Sequence, residues 1–237
     1  MGSSNFTVVS VILLYMVLSV AVTLMNKAAF PRDTFPYPFS ISCFQMIIAL
    51  VWLYALTIVQ RRWPSSLEVI GIHRTQSLCW DSKSILSSSG AAGAFMGMLS
   101  MGNVCLMFVQ VSFYQAAKSQ HILCSIILSY VWFKESQSPG VLLACLGVTV
   151  GFAINALAEV RILERRDADL AGLALGCAAG LVSSFFVALY PILVSRSMQR
   201  GLSKWQVSIN INAMSIAWYA PAVLYEVVAG GLPAAPA

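Results

Sequence analysis

Apolar residues along this chain come in long unbroken blocks rather than in the alternation of strands or the single stripe of a surface helix. Seven blocks can be placed, at roughly 7–25, 37–59, 90–110, 113–133, 139–158, 170–194 and 205–228. Each is about 20 residues long, which is what a hydrocarbon core ~30 Å thick requires of a crossing helix. In lipid only helices and closed barrels satisfy their own backbone groups, and these blocks lack the dyad pattern of barrel strands. The pattern therefore predicts an all-α, polytopic membrane bundle of about seven transmembrane helices in a single domain over 1–237. Pro36 and Pro38 open the second block and Pro139 the fifth, positions where a missing N–H costs least. Residues 60–89 read as a polar, Ser-rich connection, a loop or surface helix on the cytoplasmic side, and the tail from Gly230 reads as disordered.

Composition agrees. The chain has 237 residues, 59% of them hydrophobic and 10% charged, with a mean hydropathy of +0.80. Soluble domains carry about 25% charged residues. The net charge of +5 comes from scattered cations in the connections, with no basic run of the kind that binds nucleic acid. With the N-terminus cytoplasmic, eight Lys/Arg fall in inner connections and five in outer ones, the direction of the positive-inside rule. Cys43, Cys105, Cys124, Cys145 and Cys177 lie inside apolar blocks, as small hydrophobes do; only Cys79 lies outside. No metal-ligand spacing, signal peptide or nucleophile–base–acid set appears, so neither an enzyme nor a cofactor is expected. Gly172, Gly176 and Gly180, with the pairs Gly93/Gly97 and Gly147/Gly151, have the four-residue spacing that lets membrane helices approach closely.

The chemistry concentrates in the fourth block. Lys118 lies well inside it, and a central lysine costs roughly 2.5–3.5 kcal/mol on insertion scales. Tyr114, His121 and Ser125 share its helical face. All nine acids fall in connections or at block edges, so no carboxylate is at hand to neutralise Lys118. Either the lysine snorkels to an interface, or its counter-charge arrives with a phosphate-bearing ligand. In the seventh block, Asn210 and Asn212 point about 200° apart. Each amide serves either an interhelical hydrogen bond or the recognition of a base or hydroxyl. Asn26, Lys27 and Asn103 raise the same choice, with packing or an interface favoured, and Tyr15 needs a partner for its mid-helix hydroxyl.

These residues carry a resemblance. LLY…TLMNK, FPYPFSISCFQM and GNVCLMFVQVSFYQAAKSQHILCSIILSYVWFKE, continuing through LLACLGVTVGF, resemble the nucleotide-sugar and triose-phosphate translocator branch of the drug/metabolite transporters, and Golgi GDP-fucose transporters most. The resemblance covers about 8–59 and 90–225. It implies ten helices in two inverted five-helix repeats with a midplane site between them. It also implies exchange of a nucleotide sugar, GDP-fucose first, for its nucleoside monophosphate, GMP, across the Golgi membrane, with a homodimer as the open oligomeric option. The endoplasmic reticulum and the plastid are the lesser locations. By the same resemblance Tyr114 and Lys118 face the cavity, although Arg usually stands at position 118, and Tyr15 matches a first-helix tyrosine eleven residues before an Asn-Lys pair. The seventh-helix motif Phe-Tyr-Asn-Asn falls on 209–212, where Asn212 keeps the last asparagine and Asn210 is the candidate substitute. Substrate-binding candidates are thus Lys118, Tyr114, Tyr15, Asn212, Asn210 and His121. Seven blocks against ten helices point to an incomplete gene model. The alternatives are a plastid-type phosphate translocator and a truncated membrane protein that does not transport.

Overall fold

A computed structural model describes residues 2–29, 37–63, 82–134, 136–164 and 170–230. The heart of the polar connection, with His73 and Cys79, and the tail after Gly230 lie outside these residues. Eight helices are described: α1 (Gly2–Ala29), α2 (Pro38–Arg62), α3 (Ser82–Phe108), α4 (Val111–Ser119), α5 (His121–Phe133), α6 (Pro139–Glu164), α7 (Leu170–Gln199) and α8 (Lys204–Ala229). Six of them, all but α4 and α5, are long and apolar enough to cross a membrane. The chain is a polytopic helical membrane bundle.

Two boundaries differ from the hydropathy pattern. Residues 82–89, expected in the polar connection, form the first turns of α3. Their serines are tolerated because they have partners. Ser88 Oγ bonds the Ser84 carbonyl at 3.2 Å, and both hydroxyls accept from Asn210 on α8. The fourth block, expected as one helix, breaks at Gln120 into α4 and α5.

The bundle is built on α3, which packs most extensively against α7 and then against α8, while α2 pairs with α8. Small residues set these distances. A Cβ at Gly176 would stand 2.6 Å from Val109 Cγ1, and one at Gly180 would stand 3.0 Å from both Ala117 Cβ and Cys105 Sγ. The glycine stripe of α7 thus lets α3 and α4 lie against its backbone, around a core of Val104, Cys105, Val109, Phe113 and Ala117. Gly147 and Gly151 on α6 meet nothing within 4 Å, so among the described residues that pair marks no helix contact. The outward faces of α1, α2 and α6 are apolar and exposed, as lipid contact requires.

Two charged side chains are settled by helix ends. Helix α2 begins with Tyr37 and Pro38, neither of which caps it by side chain. Its open N–H groups at Phe39 and Ser40 are instead bound by Glu226 of α8, at 2.8 and 2.7 Å, and Ser40 Oγ adds a third bond at 2.7 Å. The carboxylate is 0% exposed, and it sits where the helix dipole favours an anion. Its helix runs on past the apolar block, so this acid, read from the sequence as a block-edge residue, is part of the interior. At the opposite pole, Lys27 of α1 donates to the Leu106 and Val109 carbonyls at 2.6 and 2.8 Å, closing the C-terminus of α3. α8 opens on a capping pair, with Ser203 Oγ accepting from the Gln206 N–H.

Removing the Glu226 carboxylate orphans two buried N–H groups. Glu226→Ala is expected to destabilise the detergent-solubilised protein by about 2–3 kcal/mol, and Glu226→Gln by less, since an amide oxygen still accepts. Thermal unfolding of the two variants measures the order. Gly180→Val should lower the unfolding temperature through overpacking, costing about 1–3 kcal/mol, whereas Gly151→Val should not; equal effects would contradict the packing described.

Candidate functional site

The site is built around the break in the fourth apolar block. In an uninterrupted helix each N–H reaches the carbonyl four residues back. Here the Gln120 N–H bonds the Ala117 carbonyl, three back, at 3.1 Å, and the turn tightens. The displaced acceptors are taken by side chains. Ser119 Oγ donates to the Ala116 carbonyl at 2.7 Å. Ser184 Oγ of α7 reaches the Ala117 carbonyl at 2.7 Å, with the Lys118 carbonyl at 3.4 Å and its own Gly180 carbonyl at 3.0 Å. The His121 ring bonds the Lys118 carbonyl through Nδ1 at 2.8 Å. Because a carbonyl only accepts, Nδ1 carries a proton in this bond. On the other side, buried Gln120 is held by α6, donating to the Val148 carbonyl at 3.4 Å and accepting from Thr149 Oγ1 at 3.3 Å.

Lys118 leaves the last turn of α4, half-buried, with its ammonium 5.8 Å from the centroid of the Tyr114 ring. That is the outer range of a cation–π contact. Its ammonium has no hydrogen bond or ion pair among the described residues. Tyr114 points its hydroxyl into the seam between α3 and α7, where a Cβ on Gly102 would stand 3.4 Å from both that oxygen and Ser183 Oγ. The structure therefore brings Tyr114, Lys118 and His121 together. The role of His121 is to hold the backbone of Lys118.

The other candidates are placed elsewhere. Tyr15 is 70% exposed, on a helix whose described contacts are with α2 through Asn26 and with α3 and α4; the structure does not bring it to Lys118. Asn210 is committed between helices, accepting from Gln206 Nε2 at 2.9 Å and donating to Ser84 at 2.9 Å. Asn103 likewise donates to Ser42 Oγ at 2.7 Å, and Asn26 accepts from Gln45. Asn212 differs. It is buried, and its Nδ2 donates to the Ser208 carbonyl at 2.8 Å, but its Oδ1 has no partner among the described residues. One turn on, fully buried Ser215 Oγ has none either. The sequence reading passed over Ser184, Gln120 and Ser215. Ser184 had a signal, being the next four-residue step of the Gly172, Gly176, Gly180 stripe.

The chain is similar to a set of named carriers. "GDP-fucose transporter 1" of Dictyostelium discoideum is 33% identical over 223 residues, covering 94% of this chain and 56% of the relative. "GDP-fucose transporter, Golgi" of Drosophila melanogaster is 25% identical over 220 residues, covering 90% and 61%. "GDP-fucose transporter 1" of Mus musculus is 24% identical over 208 residues, covering 86% and 54%. The chain thus spans between 54% and 61% of the length of these relatives. Residues 6–230, nearly all of the sequence, match the Triose-phosphate Transporter family, and the chain belongs to that family.

Proposed function

We propose that this protein is a nucleotide-sugar carrier of the Golgi membrane, exchanging GDP-fucose for GMP. The observation that carries the proposal is the Lys118 ammonium, set half-buried beside a helix break and matched by no anion among the described residues. Glu226 and Lys27 show how this bundle settles a charge that belongs to the fold, each against a helix end. Lys118 has no such arrangement, and a phosphate group brings the missing negative charge. The names of the relatives supply the substrate: each of the three described above is called a GDP-fucose transporter.

In this reading Lys118 holds the diphosphate as a point charge. Tyr114, one turn before it, lines the approach and steadies the ammonium over its ring. Asn212 contributes the recognition of the nucleotide, because its Oδ1 is an acceptor with no partner among the described residues and a base N–H is a donor of the right kind. Asn210 is left to packing, and His121 to the backbone of Lys118. Tyr15 stays outside the proposed contacts. No step of bond-making is involved; the protein acts as a carrier, not an enzyme.

The family name favours a second reading, a translocator of small phosphate esters. It would also use Lys118 but would have no need of a base-reading amide.

Reconstituted liposomes decide between them. Vesicles loaded with GMP should take up radiolabelled GDP-fucose, and exchange of triose phosphate without uptake of any nucleotide sugar would reject the proposal in favour of the second reading. Lys118→Ala should reduce uptake by roughly 10- to 100-fold, the loss expected of a buried charge-assisted contact, while Asn212→Ala should raise KM about fivefold for one lost hydrogen bond. Undiminished uptake by Lys118→Ala would sink the phosphate role.

A further inference from the structure

We infer that Ser184 is a positioning residue for the Lys118 cation, acting through the backbone of the broken turn; this rests on the reading of Lys118 as the phosphate-holding group. Three observations meet at this serine. It is 0% exposed, so its hydroxyl is committed to protein partners rather than to solvent or lipid. Its nearest acceptor is the Ala117 carbonyl at 2.7 Å, shorter than the 3.0 Å to its own Gly180 carbonyl. A serine inside a membrane helix ordinarily turns back to the carbonyl four residues before it; here the bond across to α4 is the closer of the two. The third is the packing beside it, where Gly180 admits Ala117 at a distance that a larger residue would forbid.

The Ala117 and Lys118 carbonyls are the groups that the tightened turn exposes. The peptide joining Ala117 to Lys118 is the last rigid unit before the Lys118 Cα. Ser184 grips the carbonyl of that peptide from α7, and His121 grips the next one from α5. Together they fix the direction in which the lysine leaves the helix. The chemistry gives this weight. A lysine presents a flexible stem and one point charge, without the planar fork by which arginine fits a phosphate in two places. Where the stem is free, the root of the side chain is what a protein can fix. Removing the Ser184 hydroxyl leaves the Ala117 carbonyl to the Gln120 N–H alone, and the root loosens.

The inference separates phosphate binding from the rest of ligand binding, which a merely structural serine would not do. Binding of GMP and of guanosine to the purified protein is to be compared, since guanosine has no phosphate for Lys118 to hold. Ser184→Ala should weaken GMP binding roughly fivefold, the effect of one net buried hydrogen bond, and leave guanosine binding unchanged. Ser184→Thr, which keeps the hydroxyl, should restore GMP binding. Equal weakening of GMP and guanosine, or no weakening of GMP, overturns the positioning role. The underlying reading fails in a different way: Lys118→Ala would then bind GMP as tightly as the native protein does.

Discussion

A backbone carbonyl released in a dry helix bundle has no water to turn to, and the break at Gln120 releases several. An unsatisfied group in hydrocarbon costs several kcal/mol, so a break can exist only where neighbouring side chains collect what it frees. Here α4 supplies Ser119, α5 supplies His121 and α7 supplies Ser184. Gln120, the residue at the break, is anchored to α6 through its side chain. Four helices are thus tied to one turn. The close approach of α7 depends in its turn on Gly176 and Gly180, because a side chain at either place would hold the backbones apart. The glycine stripe and the polar cluster are therefore one device, the first setting a distance that the second needs.

The treatment of charge follows the same logic. Glu226 and Lys27 are both carried by long helices, and both end on the pole of another helix where backbone groups of the opposite sign are open. These two bridges join α8 to α2 and α1 to α3, and each satisfies the helix end as well as the charge. Lys118 stands apart in kind. It sits at the end of a nine-residue helix whose last carbonyls are taken by neutral donors, so its own charge is spent on none of them. The fold satisfies the break without using the one cation next to it.

Much of the fold was legible because long apolar blocks leave few alternatives in a bilayer. What was hidden depends on pairs. The start of α3 was missed because Ser84 and Ser88 look polar to a running average, and only Asn210, more than a hundred residues away, makes them at home. The break at Gln120 was hidden because the apolar run from His121 to Phe133 carried the more polar Val111–Ser119 along with it into one block. Glu226 was readable as an acid near a block edge, but its partner at the start of α2 is a tertiary fact. For the site, Tyr114 and Lys118 were readable as neighbours one turn apart, whereas His121 lies across the break and meets Lys118 through its carbonyl rather than through a shared helical face. Asn210 and Asn212 were alike as residue types, and the structure separates them by partners. Asn210 has both ends engaged, whereas Asn212 keeps one acceptor unmatched.

That unmatched acceptor sits on α8, the helix that packs against α2 and α3. Asn212 Oδ1 and Ser215 Oγ lie one turn apart on α8, buried and unpartnered, in a bundle that otherwise meets its polar groups with care. Two turns beyond Asn212 on α8, Tyr219 is fully engaged with Ser100 and the Met96 carbonyl, so the deficit is local rather than a property of the helix. On α4 the deficit is a positive charge without an anion; on α8 it is an acceptor without a donor. Under the proposed function a nucleoside phosphate would supply both parts, an anion and a base N–H. A small phosphate ester offers only the first and would leave the α8 acceptor as it is. Among the described residues the two deficits stand out, on different helices, in a bundle that matches Glu226, Lys27 and Asn210 in full.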